Sequence, residues 1–111
     1  MYDLDEKILK EITSAIVNAI SPEQIIFFGS RANGKNNQNS DIDLLIVEKE
    51  PFSLVRSRRK DLKIIRQALS KFYIPKDILL FSKNEVEYWK DAVNHVIAKA
   101  YKTGRVLYEK H

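Results

Sequence analysis

Apolar residues recur at Leu4, Ile8, Ile12, Ile16 and Ile20, with Leu9 and Val17 beside them. A four-residue interval returns side chains to one face of a helix with 3.6 residues per turn, so this pattern predicts an amphipathic helix. Ser21-Pro22 ends it and begins a turn. The period then changes. Gln24–Phe28 and residues 41–48 are short apolar runs, read as strands, and the Gly-, Asn- and Ser-rich residues 29–40 form the loop between them. Past Pro51, a second helical stripe runs through Leu54, Val55, Leu62, Ile65, Leu69 and Phe72. Residues 74–81 form a third apolar run, broken only by Lys76 and Asp77. Ser82 or Asn84 can cap a further helix carrying Val86, Trp89, Val93, Val96 and Ile97. Gly104 is its C-cap, and residues 106–108 read as a short edge strand. The order α-β-β-α-β-α, with a final β, predicts an α/β (α+β) fold: a small mixed sheet with helices packed mainly on one face.

Composition narrows the class. At 111 residues, 44% hydrophobic and 31% charged, the chain can bury one core, so residues 1–111 are expected to form a single domain. It has no cysteine, which excludes disulfides and thiolate metal sites. The acidic, amphipathic start is unlike a signal peptide, and no apolar run approaches the roughly 18 residues of a membrane span. A cytoplasmic location without membrane contact is expected. The formal charge of +4 suits an anionic ligand such as a nucleotide or RNA.

The candidate chemistry lies between Phe27 and Val47. Gly29 to Lys35 matches most of a phosphate-binding P-loop, G-x-x-x-x-G-K, but three features oppose that reading. Asn36 stands where a Mg²⁺-binding Ser or Thr hydroxyl would follow the lysine. The next residues, NNQNSD, offer no apolar face for the helix that should hold phosphate at its N-terminus. Asp41 and Asp43 also precede the apolar run Leu44 to Val47 instead of following it.

A metal site fits better. Side chains two apart on a strand share a face, so Asp41 and Asp43 point the same way from Cα atoms roughly 6.6 Å apart. Such carboxylates can grip one cation or bridge two ions roughly 3.5–4 Å apart. Hard oxygen donors without cysteine favour Mg²⁺ or Mn²⁺ over Zn²⁺. The alternative is a pair of exposed turn carboxylates. Gly29-Ser30, at the end of the preceding strand, can admit a phosphate to backbone amides and add a hydroxyl donor. Asp77 is a third candidate, because a carboxylate inside an apolar run needs a partner, a metal or an edge position facing water.

Gly29-Ser30, Asp41-x-Asp43 after ten intervening residues, and Asp77 resemble the DNA polymerase β-like nucleotidyltransferase superfamily. The fuller string G-S-R-A-x-G…S-D-I-D-L is similar to its smallest members, the minimal nucleotidyltransferases, and the ending G-R-V-L-Y-E resembles theirs. The resemblance implies a polymerase β-like palm core and Mg²⁺-dependent transfer with two ions and ATP as substrate. It implies that Asp41, Asp43 and Asp77 are catalytic and metal-binding, and that Gly29, Ser30, Arg31 and Ser40 bind the nucleotide. Larger relatives carry a further domain that grips nucleic acid or an antibiotic; here direct nucleic-acid binding is not expected. The implied partner is a HEPN-type toxin in a hetero-oligomer, with AMP transferred to a toxin tyrosine by an antitoxin. Two alternatives remain: a stand-alone transferase for a small-molecule acceptor, and a non-catalytic antitoxin that neutralises by binding.

Four other features stand out in the sequence. Arg56, Arg58, Arg59, Lys60 and Lys63 form a basic cluster, read as a solvated helix face or as a dock for an acidic partner or RNA. Lys35 is read as a flexible, solvated loop cation, the alternative being an aid to triphosphate binding. Trp89 is expected in the core, and His95 at the surface or half-buried, without a catalytic partner.

Overall fold

In the computed structural model, residues 6–29, 32 and 42–110 are described. They form α1 (Glu6–Ile20), β1 (Gln24–Phe28), β2 (Ile42–Glu48), α2 (Arg58–Ala68), β3 (Lys76–Ser82), α3 (Lys83–Trp89), α4 (Val96–Thr103) and β4 (Arg105–Glu109). The strands join in one mixed sheet of order β3-β2-β1-β4. β2 runs antiparallel to β1 and parallel to β3, and β4 runs antiparallel to β1. This is the mixed α/β architecture that the periodicity implies.

The apolar runs explain how the layers stack. Alternate residues of β1 and β2 point to opposite faces, yet Ile25 to Phe28 and Leu44 to Val47 are all buried. Both faces of the sheet centre must therefore be covered. On one face Ile25, Phe27, Ile42, Leu44 and Ile46 pack with Leu9, Ile12 and Ile16 of α1 and Ile65 of α2. On the other, Ile26, Phe28, Leu45 and Val47 pack with Val86 of α3 and with Ile97 and Ala100 of α4. The longer helices share the first face and the shorter pair covers the second, so the helices are divided between both faces and not packed mainly on one as expected.

Two predicted helices differ from the observed ones. Leu54 and Val55 do not begin the second helix. Ser57 is its N-cap, its side chain accepting from the Lys60 amide, so α2 starts at Arg58. The apolar pair stands outside, at 104% and 97% exposure. The predicted helix after β3 is two helices. Ser82 opens α3 with a reciprocal capping box to Glu85, and the helix stops at Lys90. Asn94 then takes a left-handed turn at φ 66°, and the His95 ring nitrogen caps α4 by accepting from the Ile97 amide. Val93 is consequently exposed. Trp89 is partly exposed too, stacked on the half-buried His95 at 4.4 Å between ring centroids. Gly104 follows α4 as expected, in an extended conformation, and a Cβ there would overlap Ala100 O and Ile26 Cγ2.

At the C-terminal end of β2 the carboxyl of Glu48 is buried beside Arg56, which donates to its Oε1 at 2.8 Å. Burial pushes this carboxyl from its ordinary 4.5 up to about 7; the adjacent Asp61 adds to the rise and Arg56 opposes it. Glu48 Oε2 has no hydrogen-bond partner. A proton on Glu48 would change two facing acceptors into a donor and an acceptor. Because the folded value is raised, this contribution to stability is full below pH about 4.5 and is lost as pH rises through about 7. Glu48→Gln places a permanent amide donor there. It should flatten the decline in urea-unfolding free energy between pH 5 and pH 8 by roughly 1–2 kcal/mol. Equal slopes for the two proteins would reject this account.

Candidate active site

Three strand ends meet at one edge of the sheet. β1 ends there, and the antiparallel β2 and its parallel neighbour β3 both begin there. Backbone pairing sets Phe28 beside Asp43 and Asp43 beside Asp77. Paired residues on neighbouring strands share a face, and the strands lie about 4.8 Å apart. The carboxylates of Asp43 and Asp77 thus rise side by side from the sheet, with the Phe28 ring position next to them. The next row on this face, Ile26, Leu45 and Leu79, belongs to the core beneath α3 and α4. The acidic row therefore borders the helix-covered patch. Asp43 is half-buried and Asp77 exposed.

Gly29 ends β1 at φ 87°, in the left-handed region. A Cβ on Gly29 would overlap Asp43 Oδ2. The glycine thus has two local reasons: the turn requires its backbone freedom, and the carboxylate lies where a side chain would stand. Sequence reading proposed that this Gly admits a phosphate to the backbone; the structure adds its close packing against an acidic side chain.

The turn before Asp77 is fixed by Lys76. Its Nζ donates to Phe72 O at 2.6 Å and to Ile74 O at 2.8 Å, and burial pulls its pKa down. The Ile42 amide donates to Pro75 O at 2.9 Å, extending the β2–β3 ladder past the carboxylates. Sequence reading noted Lys76 only as an interruption of an apolar run. Its signal was adjacency: a lysine beside Asp77 at a strand start, with carbonyls of the preceding turn in reach.

Of the sequence-derived site residues, Gly29, Asp43 and Asp77 are brought together. Ser30, Arg31, Ser40 and Asp41 lie outside the described residues, as does Lys35. Among the described residues no group of three or more His, Cys, Asp or Glu side chains is arranged around a metal position. The donor chemistry still fits a hard divalent cation: two carboxylates on adjacent strands, in register, at one end of the sheet. Also among the described residues, no helix is long and apolar enough to cross a membrane.

Residues 6–102 match the family described as nucleotidyltransferase domain. No curated protein sequence matches the chain. Among solved structures, a nucleotidyltransferase from Sulfolobus solfataricus, so described provisionally, superposes with a TM-score of 0.61 at 22% identity, covering 94% of this chain and 79% of that one. A toxin-antitoxin structure with AMP-PNP gives 0.59 at 17% identity, covering 93% and 74%. A mutant of the toxin-antitoxin MntA-HpeT gives 0.56 at 16% identity, covering 97% and 76%. At these identities the superpositions establish a shared fold.

Proposed function

Since this chain belongs to the nucleotidyltransferase domain family, we propose that it transfers AMP from ATP to a tyrosine hydroxyl of a HEPN-type toxin, and so acts as an antitoxin. The observation that carries this reading is the registered pair Asp43 and Asp77 beside Gly29. Toxin-antitoxin proteins among the structures of the same fold, one of them with AMP-PNP, support the choice of partner and nucleotide.

In this reaction the acceptor oxygen attacks the α-phosphorus of ATP. The new oxygen–phosphorus bond forms as the bond to the β-phosphate bridge breaks, and pyrophosphate leaves. Asp41, Asp43 and Asp77 would hold two Mg²⁺ ions. Such ions lower the pKa of the attacking hydroxyl and offset charge on the α-phosphate and leaving group. Asp77, the carboxylate open to solvent, would take the acceptor proton. The backbone amide at Gly29, together with Ser30, Arg31 and Ser40, would supply the donors for the β- and γ-phosphates. The Phe28–Asp43–Asp77 row sets the two carboxylates at the end of the strands, and the exposed Asp77 is the one a hydroxyl on a second protein would meet.

The test is incubation with α-labelled ATP, Mg²⁺ and the cognate toxin, followed by intact-mass analysis of both chains. One or more AMP units on the toxin are expected. A tight complex without any mass gain would replace this reading with a binding-only antitoxin. Neither complex nor transfer would replace it with a transferase for a small-molecule acceptor.

A further inference from the structure

The basic cluster of the sequence separates into two groups with different surroundings. Arg56 is built into the fold. Its guanidinium reaches Glu48, Asp61 and the Glu50 carbonyl, and lies over the Phe52 ring at 5.0 Å. Arg58 pairs with Glu85 and lies over the same ring at 4.8 Å. Arg59, Lys60 and Lys63 are exposed, and none of them forms an ion pair among the described residues. Cations in the first turns of a helix also oppose its dipole, which favours acidic residues there. Local stability accounts for the first two arginines and leaves the other three cations unexplained.

The segment before α2 is similarly ordered and similarly exposed. Ser53 accepts at Oγ from the amides of Val55 and Arg56, at 3.2 and 3.1 Å, and its own amide donates to Arg56 O at 2.9 Å. This closes a tight turn whose tip is Leu54-Val55, the two most exposed large apolar residues among those described. The Arg56 contacts with Glu48 and Glu50 anchor the base of the turn. Several hydrogen bonds thus hold two aliphatic side chains in water. Such a preorganised tip loses little conformational freedom on binding.

We propose that this turn and the adjoining exposed face of α2 form a docking surface for a partner protein that has an apolar pocket rimmed by acidic residues. The inference deepens the proposed function and rests on its toxin partner. Leu54 and Val55 enter the pocket as the desolvated centre, and Arg59, Lys60 and Lys63 meet the acidic rim, where they steer encounter. Charge alone would also admit RNA, but the tip disfavours it. Single-stranded nucleic acid is held by stacking on aromatic faces, and the nearby Phe52 is half-buried and engaged by two guanidiniums. The surface lies at the opposite end of β2 from Asp43, since the chain leaves that strand at Glu48 before entering the turn. A partner docked here leaves the carboxylate edge open.

The test measures binding of the full chain to its candidate toxin partner, beside AMP transfer to that partner. Leu54→Asp with Val55→Asp should weaken binding at least about thirtyfold. Thermal stability and Mg²⁺-ATP affinity should be unchanged. Lys60→Glu with Lys63→Glu should slow association about tenfold and flatten its salt dependence. Undiminished toxin binding by both variants overturns the surface while leaving the function standing. A wild-type chain that transfers AMP without measurable docking also overturns it. Failure of the wild type both to bind and to transfer overturns the toxin reading and this surface together. Loss by the Leu54/Val55 variant of self-association, or of binding to a mixed-sequence 20-nucleotide RNA, with toxin binding intact assigns the surface to another occupant and overturns the proposal.

Discussion

Asp41→Asn combined with Asp43→Asn is expected to lower nucleotidyl transfer at least about a thousandfold while leaving the fold intact. The substitution keeps side-chain shape and removes charge. It therefore acts on cation binding and phosphate neutralisation with little change in packing. It should also reveal the energetic cost of the site. Asp43 and Asp77 stand side by side on one face of the sheet, and like charges directly opposite on neighbouring strands repel. Without Mg²⁺ the variant should lose the Asp43–Asp77 repulsion, about 1 kcal/mol, together with the contacts that the Asp43 carboxylate makes. With Mg²⁺ the parent alone should gain thermal stability, because a ligand that binds only the native state shifts unfolding. Thermal melts with and without Mg²⁺, beside the transfer assay, read all three effects. Undiminished transfer by the double variant would reject the carboxylate assignment. A Mg²⁺-induced shift of equal size in both proteins would place the cation elsewhere.

The sequence contained most of this edge, and the reason is periodicity. Alternation on strands marked Asp43, with its companion Asp41 outside the described residues, and the break in the run at residues 74–81 singled out Asp77. Asp77 then proved to be paired in register with Asp43. What periodicity does not contain is pairing order, which depends on contacts far apart along the chain. Helices were expected mainly on one face, and the second helical layer was missed although its signal is present. Four consecutive apolar residues in each of β1 and β2 leave no polar face, a pattern that requires cover on both sides. The helix limits were harder to read for a local reason. Leu54 and Val55 fit a helical stripe, but the Ser57 cap and the Ser53 turn compete for the same backbone and prevail. Val93 fits the stripe of its neighbours too, yet Asn94 adopts a left-handed conformation that divides the helix. In both places a short polar side chain or a turn residue overrides a hydrophobic period.

Gly29→Ala is expected to lower stability by about 2–4 kcal/mol and to suppress transfer, and the two losses have separable causes. The first is backbone strain: a residue with a Cβ at φ 87° pays about 1–2 kcal/mol that glycine does not. The second is spatial, because the new methyl would overlap Asp43 Oδ2. Either the turn opens or the carboxylate moves, and both displace a group proposed to hold a cation or admit a phosphate. A double-mutant cycle distinguishes them. Asp43→Ala removes the overlapped oxygen, so adding Gly29→Ala to that background should cost only the backbone part. The difference, about 1–2 kcal/mol, is the coupling between the two positions. Urea unfolding of the four proteins measures it. Additive losses would mean that Gly29 serves the turn alone and that its contact with Asp43 is incidental. A clear coupling would tie the glycine to the carboxylate, and its presence at the end of β1 to the geometry of the acidic edge.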